Sequence, residues 1–369
     1  MRLLATIPLH PGGLTGTDRP VFEADGLSAA LFRYNSGIDA LRLRNRRGEL
    51  VILPWFGQMI WDARFDGVDL AMRSGFDMPL PADTIAGTYG CFAFHSGLLR
   101  NGVPAAGDDH AAHGEFPCAA MRAAWLELHE RDGLLSLRVV SEREHIVGFG
   151  PHYRAHPAIT LTQDSALFDM ALAVENRSGR PMELMYMAHV NFAFVPNATI
   201  VQPAPFRPDS VSVRRAVPAH VQPDAEYLAL IEELAEDPGR MEILREPDRY
   251  DPEQVFYVRG LGTDDAGLTS LMLRRPAGDA FALTYPPAVF PHCVRWILNG
   301  PDQAVAAFAL PSTCEPEGYA AEKRKGHVRQ IAPGGHARFA LTLGHLDARE
   351  ADGMAHRIAA LHPGHGDVA

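Results

Sequence analysis

Between Phe168 and Phe194 the chain alternates between apolar and polar or small positions with a period of two. Phe168, Met170, Leu172 and Val174 share one side, and Asp169, Ala171, Ala173 and Glu175 the other. That period predicts a half-buried strand rather than a helix. Asn176-Arg177-Ser178-Gly179 tolerates a tight turn, and Pro181 limits pairing just beyond it. A second strand follows, with Met182, Leu184, Tyr186, Ala188 and Val190 on one face. Glu183, Met185, Met187, His189 and Asn191 form the other, so His189 and Asn191 project together. The stretch predicts a β-hairpin whose second arm carries a histidine from apolar surroundings to a polar surface.

The same rhythm recurs over most of the chain. Short apolar runs at 29–32, 50–53, 58–62 and 68–72 are separated by Gly, Asn and Asp, and predict strands and turns. Longer strands are expected around Leu135–Val140 and Ile159–Gln163, and later at 270–273, 281–285, 293–298, 305–310 and 339–343. Residues 76–120, rich in Gly, Pro, His and Asp, predict a long irregular segment of the kind that carries function. Between 203 and 255 the rhythm breaks. There Tyr227, Leu228, Ile231 and Leu234 recur at helical spacing within 225–237, and predict one helix in an insertion suited to a lid or an oligomer contact. Glu315 to Lys325 is expected to be a loop or short helix, the tail after Glu350 a polar, frayed end, and helix outside 225–237 to be confined largely to about the last thirty residues. The expected fold class is all-β and antiparallel: a single domain over 1–350, with 203–255 as a small helical insertion and 351–369 as a tail.

Composition narrows the function classes. The 369 residues are 47% hydrophobic and 21% charged, the make-up of an ordinary globular protein. The formal charge is 34 − 45 = −11, without a dense basic cluster, so nucleic acid is not an expected partner. Four cysteines, at 91, 118, 293 and 314, have no metal-finger spacing and read as reduced thiols. No run reaches the roughly 18 apolar residues of a membrane span, and Pro8 and Pro11 break the opening run. The expectation is a cytoplasmic protein with no membrane partner. A homodimer is the assembly left open.

The hairpin with its His-x-x-Phe ending at His189 to Phe192 resembles the middle of the aldose 1-epimerase (galactose mutarotase-like) superfamily. Other segments resemble that family in the same order. Leu50 to Met72 is similar to its G-M-x-I turn and F-x-G hairpin, the latter at Phe65-Asp66-Gly67. His113-Gly114 with Pro117 is similar to its L-H-G-x-x-x-x-P element. The strand of Trp296, Pro311-Ser312-Thr313, and Pro333-Gly334 complete the series. The resemblance implies an antiparallel β-supersandwich of the galactose mutarotase-like type, with a small-molecule carbohydrate as ligand.

Ring opening of an aldose needs a base at the anomeric hydroxyl and an acid at the ring oxygen. The resemblance implies His189 as the acid and His113 as a catalytic sugar contact beside it. The family base is a glutamate in an E-P-[AS]-T pattern, and its position here is Leu310, which cannot take a proton. Glu315 is the expected substitute among Glu315, Glu322 and Glu317. His95, Arg100, Glu115 and Asn191 complete the expected sugar contacts. Trp55, with Trp61 as alternative, is the expected stacking wall. The function read from this is an isomerase interconverting anomers or epimers without metal or cofactor. Two readings stand beside it. The loss at Leu310 fits a non-catalytic sugar binder or sensor. His110, His113 and Glu115, with His95 and His189, fit a metal-dependent isomerase or lyase, although their spacing fixes no geometry.

Overall fold

The two arms of the 168–194 stretch form as expected but do not pair with each other. In the computed structural model, which describes residues 2–217 and 221–361, they lie in different sheets. The Leu167–Asn176 strand runs between His152–Thr162 and His336–Leu346 in a nine-stranded antiparallel sheet. The Met182–Val190 strand pairs with Ala93–Leu98, Ala304–Ser312 and Arg329–Ile331 in a sheet of thirteen strands. The predicted hairpin is therefore an arch, and the reason lies in its apolar faces. Phe168, Met170, Leu172 and Val174 meet Leu184, Tyr186 and Ala188 across the core, which side-by-side pairing would prevent. The turn is closed on itself. The Asn176 amide donates to the carbonyls of Arg180 (2.8 Å) and Ile331 (2.9 Å), and the Ser178 hydroxyl donates to Asn176 Oδ1 (2.8 Å).

The two sheets pack face to face around one continuous core. An aromatic series joins them: Phe168 lies 5.9 Å from Phe65 and 6.2 Å from Phe92, and Phe192 lies 5.1 Å from Phe92, 5.0 Å from Phe308 and 5.3 Å from Phe281. Phe168 and Phe281 belong to the nine-stranded sheet, and Phe65 and Phe308 to the other. Ring pairs at these separations add to the area they bury.

The expected insertion helix spans Ala225–Glu236 and is capped by Asp224, which accepts from the Tyr227 amide at 2.8 Å. It buries Tyr227, Leu230, Ile231 and Leu234. The insertion rejoins the larger sheet where Val211–Val213 pairs with Gln254–Val258. Arg295, fully buried, ties down its start by donating to Gln202 Oε1 (2.6 Å) and the Phe308 carbonyl (2.8 Å). A seven-residue helix, Tyr319–Lys325, occupies the segment expected to be loop or short helix.

The end of the chain carries the helix expected within about the last thirty residues, and its described part is not the frayed tail expected after Glu350. Ala348–Ala360 is a helix with a capping box between Asp347 and Glu350. Ala351, Met354 and Ile358 pack on Met272, Ala280 and Leu346, so the polar residues form only its outer face. Residues 362–369 of the expected tail lie outside the described residues.

Candidate functional site

The larger sheet has a second face, turned away from the core, and the alternation that buries Leu184, Tyr186 and Ala188 puts Met187 and His189 on it. Neighbouring strands add Val255, then Val294, Trp296 and Leu298, then Leu310. These side chains floor a cavity of about 610 Å³. Tyr89 and Gln303 stand on one wall, His113 on another, and Arg214, Gln222, Asp251 and Glu253 of the insertion on a third.

His113 arrives through the 76–120 segment in a left-handed backbone conformation, with φ of 64°. The residue after it must be glycine. A Cβ on Gly114 would lie 2.1 Å from the Arg100 carbonyl oxygen and 2.6 Å from that of Gly97. This close approach gives the His-Gly pair its physical meaning: it presses the loop onto the strand and hangs the imidazole over the sheet.

The His113 and His189 rings meet edge to face, with centroids 4.9 Å apart. Phe94 stacks on His189 at 4.5 Å. The hydrogen-bond network fixes both tautomers. The Asn191 amide donates to the Cys91 carbonyl at 2.9 Å, which turns Oδ1 toward His189, so Nδ1–H of His189 donates to it at 2.9 Å. The Ser96 hydroxyl donates to Asn101 Oδ1, and the Asn101 amide donates to Cys314 Sγ, so Ser96 Oγ accepts from His113 Nδ1–H at 3.0 Å. Each ring therefore keeps Nε2 as an acceptor. The Tyr89 hydroxyl donates to that of His189 at 3.3 Å.

Burial holds both imidazoles neutral. His189 titrates well below the usual histidine range because of burial, reinforced by neighbouring His113. Burial pulls His113 down to about 4, opposed in part by the charge of Glu253. Burial also lifts the Tyr89 phenol well above its ordinary value. Glu253 accepts from the Trp296 indole N–H. Arg214 is paired with Glu317 at 2.9 Å.

The residues expected from sequence separate into groups. His113 and His189 line one cavity, Asn191 orients His189 from behind, and Leu310 lies in the floor. Glu315 is not among the lining residues: its carboxylate accepts from Arg259 (2.6 Å) and Lys325 (2.7 Å). His95 points into the core, with Nδ1 2.8 Å from the Tyr186 hydroxyl. Trp55 packs against the main core and Trp61 lies in a second apolar cluster, so neither stands at the cavity. Arg100 lies over the Tyr319 ring at 3.6 Å and borders a separate open groove, as does Glu115. Glu115 accepts from the amides of Leu98 (3.0 Å) and Leu99 (3.1 Å) and from the Tyr153 hydroxyl (2.8 Å).

His110, His113 and Glu115 do not converge as ligands: Nδ1 of His110 is 2.9 Å from the Ala111 carbonyl, and Glu115 is spent on backbone amides. Among the described residues, the one set of three such donors that comes together is Glu315, Glu322 and His327. The Lys325 ammonium bonds both carboxylates there, at 2.7 and 2.8 Å. Sequence reasoning passed over Tyr89, inside the irregular 76–120 segment, and Glu253, which reaches the cavity only because the insertion folds back. Trp296 was legible as a strand residue but not as part of a cavity floor.

The two-sheet fold is that of the galactose mutarotase-like sandwiches. It is similar to a protein from Klebsiella pneumoniae described as a "putative aldose 1-epimerase", with a TM-score of 0.80 and 14% identity over 98% of this chain and 96% of that one. A galactose mutarotase-like protein from Clostridium acetobutylicum matches with a TM-score of 0.57 and 12% identity, over 87% of this chain and 98% of that one. The chain itself belongs to the family described as a domain of unknown function, DUF4432, whose model matches residues 35–344. Comparison with curated proteins found no match.

Proposed function

We propose that the protein is a carbohydrate isomerase that opens and recloses the ring of a neutral aldose, interconverting its anomers by acid–base chemistry. The observation that carries this reading is the pair of anchored imidazoles lining one cavity beside the Glu253 carboxylate, with His113 Nε2 kept as an acceptor and His189 Nε2 shared with the Tyr89 hydroxyl. A neutral imidazole takes the proton of the anomeric hydroxyl. As an imidazolium it then donates to the ring oxygen, which is bonded to the same carbon, as the C–O bond opens. His113 is the easier of the two to protonate because Glu253 favours its charged form. His189, its plane fixed by Asn191, accepts at the neighbouring position as a sugar hydroxyl takes the place of the Tyr89 hydroxyl at Nε2. In this reading Glu253, entering from the insertion, supplies the carboxylate that Leu310 lacks.

The likeness to sandwiches described as epimerases and mutarotase-like proteins supports the carbohydrate class. A second reading, a sugar binder without turnover, is favoured by the leucine in the cavity floor. Exchange between anomers, followed by NMR on freshly dissolved single anomers, separates the two. Exchange that disappears in His189→Ala and Glu253→Gln but survives in Glu315→Gln supports the isomerase. Binding of sugar without exchange in wild type leaves the binder.

A further inference from the structure

The floor of the cavity is apolar without interruption over four strands. Val255 lies opposite Trp296, and Leu310 opposite Val294, in the strand register. With Met187 and Leu298 they form one packed cluster, in which Met187, Val294 and Leu310 are almost fully buried. The Trp296 indole N–H, the floor's own donor, is turned to Glu253. Among the described lining residues, polar side chains stand on the walls, and the floor presents only His189 at its edge.

A ligand seated here is thus polar along one rim and apolar beneath. A hydroxyl pressed on this floor loses its water and finds no partner, whereas a methyl group loses nothing and removes apolar surface from water. The charges in the lining exclude a second class. Arg214 is already paired with Glu317, and Asp251 and Glu253 face the same space, so the site lacks the excess positive charge that a uronate or sugar phosphate requires.

Resting on the sugar-ring reading above, we infer that the preferred substrates are 6-deoxyaldoses, neutral sugars carrying a methyl group where ordinary hexoses carry a hydroxymethyl. The methyl lies on Val255, Trp296 and Leu298, the floor residues that are only partly buried over the packed layer of Met187, Val294 and Leu310, and the ring hydroxyls meet the His113, Glu253 and Gln303 walls. The reaction is unchanged; only the sugar it admits is specified.

The test is a set of matched pairs given to the purified full chain: D-fucose with D-galactose, L-fucose with L-galactose, L-rhamnose with L-mannose, and quinovose with glucose. Anomer exchange and ligand binding are both read by NMR. In at least one pair kcat/KM for the deoxy sugar should exceed that of its parent by roughly ten- to a hundred-fold, the discrimination expected from one unpartnered hydroxyl or one apolar group. Val255→Thr, which exchanges a methyl on the ligand-facing floor for a hydroxyl at nearly constant volume, should narrow that ratio. Equal or better turnover of the parent in every pair overturns the inference and leaves the isomerase intact. Preferential binding of a deoxy sugar without exchange supports the ligand class and overturns the isomerase. No binding of either member of any pair overturns both.

Discussion

At the residue scale the chemistry turns on which nitrogen carries the proton. Asn191 and Ser96 hold Nδ1–H of His189 and His113, so in the proposed reaction the working atoms are the two Nε2 acceptors, that of His189 already engaged by the Tyr89 hydroxyl. The expected pH dependence follows from the sign of the shift. The active forms are neutral, and His113 titrates at about 4, so kcat/KM should stay level from about pH 8 to 5 and fall as pH drops through that value. A rate that instead climbs on acidification from neutrality would mean that a resident imidazolium is the acid. Loss of either imidazole should cost about 10² to 10⁴ in turnover, and Glu253→Gln about 10² or more. Glu315→Gln should leave turnover within a few-fold while lowering stability, because Lys325 and Arg259 lose a buried partner. Asn191→Ala frees the His189 tautomer and should lower kcat more than it raises KM, by roughly ten-fold or more.

At the element scale the insertion makes the site. Glu253 follows a cis Asp251–Pro252 peptide and begins the return into the larger sheet, within one residue of the Gln254–Val258 strand. The start of the insertion is held by Arg295, whose guanidinium is held by Gln202 and the Phe308 carbonyl, and lies 5.8 Å from the Phe206 ring. Burial lowers this guanidinium to about 10, opposed in part by Cys293, Tyr250 and Tyr285, so it stays charged at neutral pH. Arg295→Ala should cost on the order of 3 kcal/mol in unfolding free energy through a cavity and two stranded acceptors. Arg295→Met fills the space and should recover part of it. Equal melting of both variants and wild type would remove Arg295 from the anchoring role.

Across the whole molecule the buried histidines make acid the vulnerable direction. His95 and His113 are neutral when folded, at about 3 and about 4, against 6.5 for an exposed ring. The unfolded chain binds protons that the folded chain refuses, so their contribution is complete above about pH 6.5 and is lost as pH falls toward those lower values. At pH 5 each accounts for on the order of 2 kcal/mol of lost stability. Denaturant melts at pH 7 and pH 5 should show the loss, and His95→Gln should flatten it. An unchanged slope in that variant would place the acid sensitivity elsewhere.

What the sequence determined by itself is what depends on neighbouring residues. Alternation of side chains predicted the strands and their faces, because a pleated strand sends successive residues to opposite sides whatever it pairs with. Helical spacing located the 225–236 helix for the same local reason. His189, His113 and the loss at Leu310 were legible as motif positions. Tertiary structure decided what depends on partners distant in sequence. The 168–194 stretch looks like a hairpin locally, and only the demand that both apolar faces meet across a core sends its arms to separate sheets. Which of Glu253 and Glu315 borders the cavity was likewise hidden. Glu315 is nearer Leu310 along the chain, but its oxygens go to Arg259 and Lys325, while the fold of a fifty-residue insertion carries Glu253 to the cavity. Proximity in sequence gave way to the path of the backbone, since a proton moves only between atoms the fold has brought within hydrogen-bond reach.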